Sequence, residues 1–201
     1  MMTSNFKKRS EQMNVFDFDE TIYDGESSVQ FILRYMREDP AILRFIPALI
    51  KVMARYYRGE IRAEDFLRVY APTLRRYFET HTVDFAPLVR EFWNKHEHNI
   101  KPFYRRIQRS DDVIITASPY FMMNDICARL GIKHLIATDF DTTTGEVHSA
   151  CYREDKVRLF RAAFSDGEID DFYTDSINDE FLFPLAKRVF MVKGNEIKQI
   201  K

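Results

Sequence analysis

The sequence predicts an α/β fold with a doubly wound, mainly parallel sheet, and three observations carry that reading. Short apolar runs end abruptly in polar residues at Asn14–Asp19, Asp112–Ser118 and Asp171–Asp175, the pattern of parallel strands buried on both faces. Helical periodicity separates such runs, over Phe121–Leu130 and Lys156–Phe164. Between Glu26 and Arg106 the pattern changes to long amphipathic stretches, as expected of a helical insertion after the first strand.

Each element follows from local chemistry. His134–Phe140 and Arg188–Lys193 read as two further strands, with Asp141-Thr-Thr-Thr-Gly145 as a hairpin turn after the former. Gly131 is placed to cap the Phe121–Leu130 helix at its C-terminus. Within the insertion, apolar spacing predicts helices over Val29–Arg37, Ala41–Tyr57, Ala63–Phe78 and Phe85–His96. The expected organisation is a core of residues 13–25 and 107–201, an insertion at 26–106, and a flexible leader at 1–12, with translation starting at Met1 or Met13.

Composition sets the outer limits. The chain has 201 residues, 45% hydrophobic and 30% charged, enough for one packed globular unit with a sizeable insertion. Its net charge of −1 gives no bulk attraction to nucleic acid. Residues 26–106 carry 15 Lys plus Arg against 10 Asp plus Glu, and the remainder 15 against 21, so a basic insertion faces an acidic core. Two cysteines, Cys127 and Cys151, form neither a disulfide framework nor a zinc ribbon, and a cytoplasmic location fits. The apolar segment Ala41–Tyr57 is broken by Arg44, Pro47, Lys51 and Arg55, so it is not expected to span a bilayer.

In an open α/β sheet a ligand sits beyond the carboxyl ends of the strands, so polar residues ending different strands meet in one crevice. Asp17-Phe-Asp19-Glu-Thr21 puts two carboxylates there, which repel unless a cation neutralises them. Asp175-Ser-Ile-Asn178-Asp179 adds further oxygen ligands of the kind Mg²⁺ accepts beside waters and phosphate. Ser118 offers a hydroxyl at a third strand end, and Lys156 opens a helix after the hairpin.

These four elements in this order, spread over residues 13–193, resemble the haloacid dehalogenase superfamily of phosphatases, whose core is Rossmann-like. The helical insertion looks like the cap of the subfamily that includes phosphoserine phosphatase. The resemblance implies a Mg²⁺-dependent phosphomonoesterase acting on a small phosphorylated metabolite. Asp17 is then the nucleophile that forms an aspartyl-phosphate, and Asp19 the general acid and base. Ser118 and Lys156 neutralise phosphoryl oxygens. Asp17, the Asp19 carbonyl and Asp175 hold Mg²⁺, with Asp179 in or behind that shell, while Thr21 and Asn178 position substrate. Glu26 sits where phosphoserine phosphatases place a glutamate for the substrate's amino group; a first-turn acid beside Ser27 and Ser28 is the plainer reading.

Two residues depart from the family pattern. Glu20 stands where many relatives have glycine, and Pro119 has no N–H to offer a phosphate. Arg34, Arg37, Arg44, Arg55, Arg58 and Arg62, interleaved with Tyr35, Tyr56 and Tyr57, read as a solvated face, although a phospholipid or sugar phosphate remains an alternative substrate. His96 and His98 lie on different helix faces and do not suit a metal; Trp93 reads as core. A non-catalytic phosphate-binding protein would not need an acid–base aspartate.

Overall fold

The computed structural model describes residues 13–58, 60, 72–73 and 75–201. The leader at 1–12, Arg62 and most of the helix expected over Ala63–Phe78 lie outside these residues.

Seven strands form one sheet in the order β4-β3-β2-β1-β5-β6-β7. They are β1 (Asn14–Phe16), β2 (Val113–Pro119), β3 (His134–Phe140), β4 (Val147–Ser149), β5 (Ile169–Thr174), β6 (Ala186–Lys193) and β7 (Glu196–Gln199). The five inner strands run parallel, and the antiparallel hairpin partners β4 and β7 close the edges. β1 lies at the centre: Phe16 pairs with Ile114 of β2 on one side and Tyr173 of β5 on the other.

Alternation along β1 divides the core in two. Phe16 and Phe18 enter one buried cluster with Trp93, Tyr104 and Ile126, while Val15 enters another with Phe160, Phe172 and Val189. Both faces of the sheet are therefore covered, which is why the strands read as apolar runs. The predicted strand Asn14–Asp19 stops at Phe16, because the chain beyond it turns: Ile22 N and Tyr23 N both donate to Phe18 O. β7 escaped the sequence reading; Gly194 (φ +57°) makes its two-residue turn with Asn195.

Between β1 and β2 the chain runs through α1 (Ser27–Glu38), α2 (Ile46–Tyr57), α3 (Phe85–His96) and α4 (Pro102–Ile107); residues 75–80 are also helical. The single helix predicted over Ala41–Tyr57 is a correction: Pro40–Phe45 is a 3₁₀ turn and α2 begins at Ile46. Pro47 explains the break, since it lacks an N–H and is tolerated in the first turn of a helix. The excursion leaves and returns through one neck, where Tyr23 bridges Ile100, Asp24 N donates to Asn99 O at 2.9 Å and Lys101 N to Ile22 O at 2.8 Å.

α5 (Tyr120–Leu130) follows β2 directly and ends on Gly131 at φ +71°, as its sequence predicts. α6 (Glu154–Ala163) follows the hairpin, and Ile177–Leu185 is a 3₁₀ stretch after β5. Among the described residues no helix is long and apolar enough to cross a membrane.

Candidate active site

Asp17 is the first residue beyond β1, and its N–H still donates to Tyr173 O at 2.9 Å. Phe18 points into the core, so Asp17 and Asp19 flank an apolar anchor. Lys156 Nζ, 3% exposed, lies 2.8 Å from Asp17 Oδ1 and 2.7 Å from Asp179 Oδ1. Burial alone would lower the Lys156 pKa; the two carboxylates outweigh it and raise it, so the ammonium stays charged. Burial pushes the Asp17 carboxyl up to about 7 against the pull of Lys156, with Asp179 and Asp19 adding repulsion.

Asp19 is held from two directions. Ser27 N, the first amide of α1, donates to its Oδ1 at 2.7 Å, and Ser118 Oγ donates to its Oδ2 at 2.6 Å. One orphan N–H of the helix start is thereby satisfied by a carboxylate. Burial raises the Asp19 pKa, opposed by these hydrogen bonds, a balance that suits a group alternating between acid and base.

Thr21 Oγ1 lies 3.2 Å from Asp17 Oδ2 and 3.4 Å from Asp175 Oδ1, so these two carboxylates converge on one hydroxyl. Burial raises the Asp175 pKa, with Asp179 adding repulsion. Among the described residues there is no group of three or more His, Cys, Asp or Glu arranged to hold a metal. Two convergent carboxylates nevertheless fit Mg²⁺, which keeps several waters and needs few protein ligands. Asp179 has both oxygens engaged, Oδ1 by Lys156 and Oδ2 by Thr174 Oγ1 at 2.8 Å, an arrangement that orients the lysine.

Two predicted substrate residues stand further out. Asn178 is exposed, and its backbone N–H donates to Ser176 Oγ at 3.2 Å in the turn after β5. Glu26 occupies the N-cap position of α1 without capping it through its side chain. Partial burial and the charges of Asp19, Asp175 and Glu20 raise its pKa, which places it beside the acidic cluster.

Three residues of the site went unread in the sequence. Ser28 Oγ lies 2.6 Å from Ser118 Oγ, and Thr116 Oγ1 accepts from Ser118 N at 3.1 Å. Lys101, 3% exposed, donates to Glu20 O. Ser28 had a faint signal, standing two residues past Glu26; Lys101 had none, because only the neck brings it beside the Asp17 loop.

The cysteines are reduced and buried, and burial pushes each thiol up to about 12. His96 stacks on Phe92.

A family profile described as haloacid dehalogenase-like hydrolase matches residues 15–180. Among solved structures, a protein of unknown function from Bordetella pertussis Tohama I is similar at 26% identity and TM-score 0.69, covering 89% of this chain and 88% of that one. A phosphoserine phosphohydrolase-like protein from Francisella tularensis shares the fold at 19% identity and TM-score 0.57, covering 89% and 86%. No curated protein matches the chain.

Proposed function

The chain belongs to the haloacid dehalogenase-like hydrolases, and from that premise we propose that it is a Mg²⁺-dependent phosphomonoester hydrolase working through an aspartyl-phosphate. The observation that carries this reading is the pairing at adjacent strand ends of a buried carboxylate on a lysine, Asp17 with Lys156, and a second carboxylate on a serine, Asp19 with Ser118. Two aspartates in different surroundings can divide nucleophilic and proton-transfer duties.

In the first step an Asp17 oxygen forms a bond to phosphorus as the ester P–O bond breaks, and Asp19 gives its proton to the departing oxygen. In the second, Asp19 takes a proton from water, whose oxygen attacks phosphorus and returns Asp17 as carboxylate. Lys156 and Ser118 meet the phosphoryl oxygens, and Asp179 fixes Lys156. Mg²⁺, held by Asp17, the Asp19 carbonyl and Asp175, supplies charge neutralisation. Thr21 holds Asp17 and Asp175 at a common distance. Residues 26–106 act as the cap over a core of 13–25 and 107–201, and close on a small phosphorylated metabolite.

Phosphate release from acetyl phosphate, phosphoserine, sugar phosphates, nucleotides and lipid phosphates, with Mg²⁺ or chelator, tests this. Mg²⁺-dependent release that Asp17→Asn abolishes is the expected result; release at the original rate in that variant would remove Asp17 as nucleophile. Asp19→Asn is expected to cost ~10²–10⁴ in rate, the range for lost proton transfer.

A further inference from the structure

Ten large apolar side chains are exposed among the described residues, and five of them belong to the three segments that build the catalytic crevice. Val29, Ile32 and Leu33 lie on α1, at 52%, 47% and 54% exposed. Tyr120 follows Ser118 by two residues at the end of β2, and Ile177 follows Asp175 by two at the end of β5. Single exposed apolar residues are ordinary, but three on the helix that brings Ser27 and Ser28 to the site, with one more just beyond each of two strand ends, form a set.

The helix shows how this surface joins the site. α1 buries Ser27, Phe31 and Tyr35. At about 100° per residue, Ser28 falls beside Tyr35, Ile32 falls next beyond Ser28, and Met36, Val29 and Leu33 continue round the helix. The opposite edge is charged, and there Arg34 pairs with Glu91 of α3 at 3.0 Å. The stripe from Ser27 round to Leu33 spans about 240°, roughly three times the buried face, and its uncovered part begins at Ser28. Ser28 touches Ser118, which donates to Asp19, the group that protonates the leaving oxygen in the mechanism above. Ile32, one turn beyond Ser28 and next to it round the helix, is therefore the exposed apolar side chain of α1 nearest the side from which the alcohol departs, with Val29 and Leu33 continuing outward from it.

We propose that this surface receives the alcohol portion of the substrate, and that the alcohol is hydrocarbon-rich: an alkyl or aryl phosphomonoester rather than a zwitterionic or polyhydroxylated one. The inference rests on the phosphatase reading and deepens it. A phosphoserine-like substrate would place its ammonium at Glu26 and leave the stripe from Ile32 to Leu33 bare to water.

The test compares kcat/KM for n-alkyl phosphates from ethyl to octyl, below their micellar concentrations, with phosphoserine and glycerol 3-phosphate. Acetyl phosphate, which has almost no alcohol side, reports the chemistry alone. The expected result is a rise of about two- to fourfold per methylene, the scale of apolar burial, until the stripe is covered. The octyl-to-ethyl ratio should collapse in Ile32→Asn and in Val29→Ser and persist in Ile200→Asn, an exposed position at the far end of the chain. Hydrolysis of acetyl phosphate with a flat chain-length series, or with phosphoserine preferred, overturns the proposal while the phosphatase reading stands. A slope that both α1 variants retain also overturns it, as does a change in those variants confined to vesicle binding or oligomeric state. No hydrolysis of acetyl phosphate brings down both.

Discussion

Glu20 has φ +55°, the left-handed conformation that glycine adopts without strain, and this is where many relatives carry glycine. Here the turn is held by Lys101, whose buried ammonium donates to the carbonyl of Glu20, the residue after Asp19. Lys101→Met keeps the apolar stem and removes the donor. Its kcat for acetyl phosphate is expected to fall ~10–100-fold, the scale for supporting residues behind a metal ligand, with Lys101→Arg recovering part of it; thermal unfolding followed alongside separates this from misfolding. Asp112 makes a different prediction. Burial pushes its carboxyl up to about 6, so folding favours its protonated form. Between the unfolded carboxylate range and about pH 6 the folded state holds more protons, and stability falls as pH rises through that window. Asp112→Asn should therefore raise Tm at pH 7, with the gain shrinking to nothing near pH 4. At this scale the sequence made Asp17, Asp19, Ser118, Lys156 and Asp175 legible, because each lies at or just beyond a strand end or opens the helix after the hairpin. Thr116 and Lys101 carry no pattern of their own and Ser28 only a faint one beside Glu26; their contacts join segments far apart in the chain.

Helices α1 and α3 root the insertion in the core. Trp93 of α3 is fully buried, lies edge-on to Phe18 and Tyr23, and donates from Nε1 to Met122 O at 2.8 Å. Trp93→Ala is expected to cost about 3–5 kcal/mol in urea unfolding, the range for deleting a large buried aromatic. It should also slow turnover, since Phe18 is the buried anchor between Asp17 and Asp19. The periodicity of Phe85–His96 predicts α3 at its observed bounds, because one face of that helix meets the core throughout. The segment Ala41–Tyr57 misled for a physical reason: its apolar spacing continues across Pro47, whereas the hydrogen-bond ladder does not. β7 was missed because all four of its residues are exposed and carry no buried face to read.

Across the molecule, the central position of β1 brings the carboxyl ends of β1, β2 and β5 together, so one crevice gathers Asp17, Asp19, Ser118, Asp175 and Asp179 around one lysine. That surplus of negative charge opposes folding, and a bound cation would relieve it. Mg²⁺ at 100 times its Kd should add about 2.7 kcal/mol of stability by mass action. The rise in Tm should be absent with chelator and largely lost in Asp175→Asn, and a Tm indifferent to Mg²⁺ in the parent would remove Asp175 from the metal's ligands. The parallel sheet and the acidic crevice were legible from strand ends alone, while the placement of the insertion against them required the neck.

That neck joins the outgoing and returning chain at the base of the excursion. Tyr23 and Ile100 hold the outgoing and returning chain together whatever lies between, as a clasp holds a bracelet. Because α1 and α3 supply Phe31, Val89, Phe92 and Trp93 to the buried cluster, they belong with the clasp, as do Tyr77 and Phe78, which pack on Tyr35, Phe85 and Phe140. A segment exchanged beyond these contacts is expected to leave Asp17, Asp19 and Asp175 where they are, and unchanged hydrolysis of acetyl phosphate by such a graft would check it.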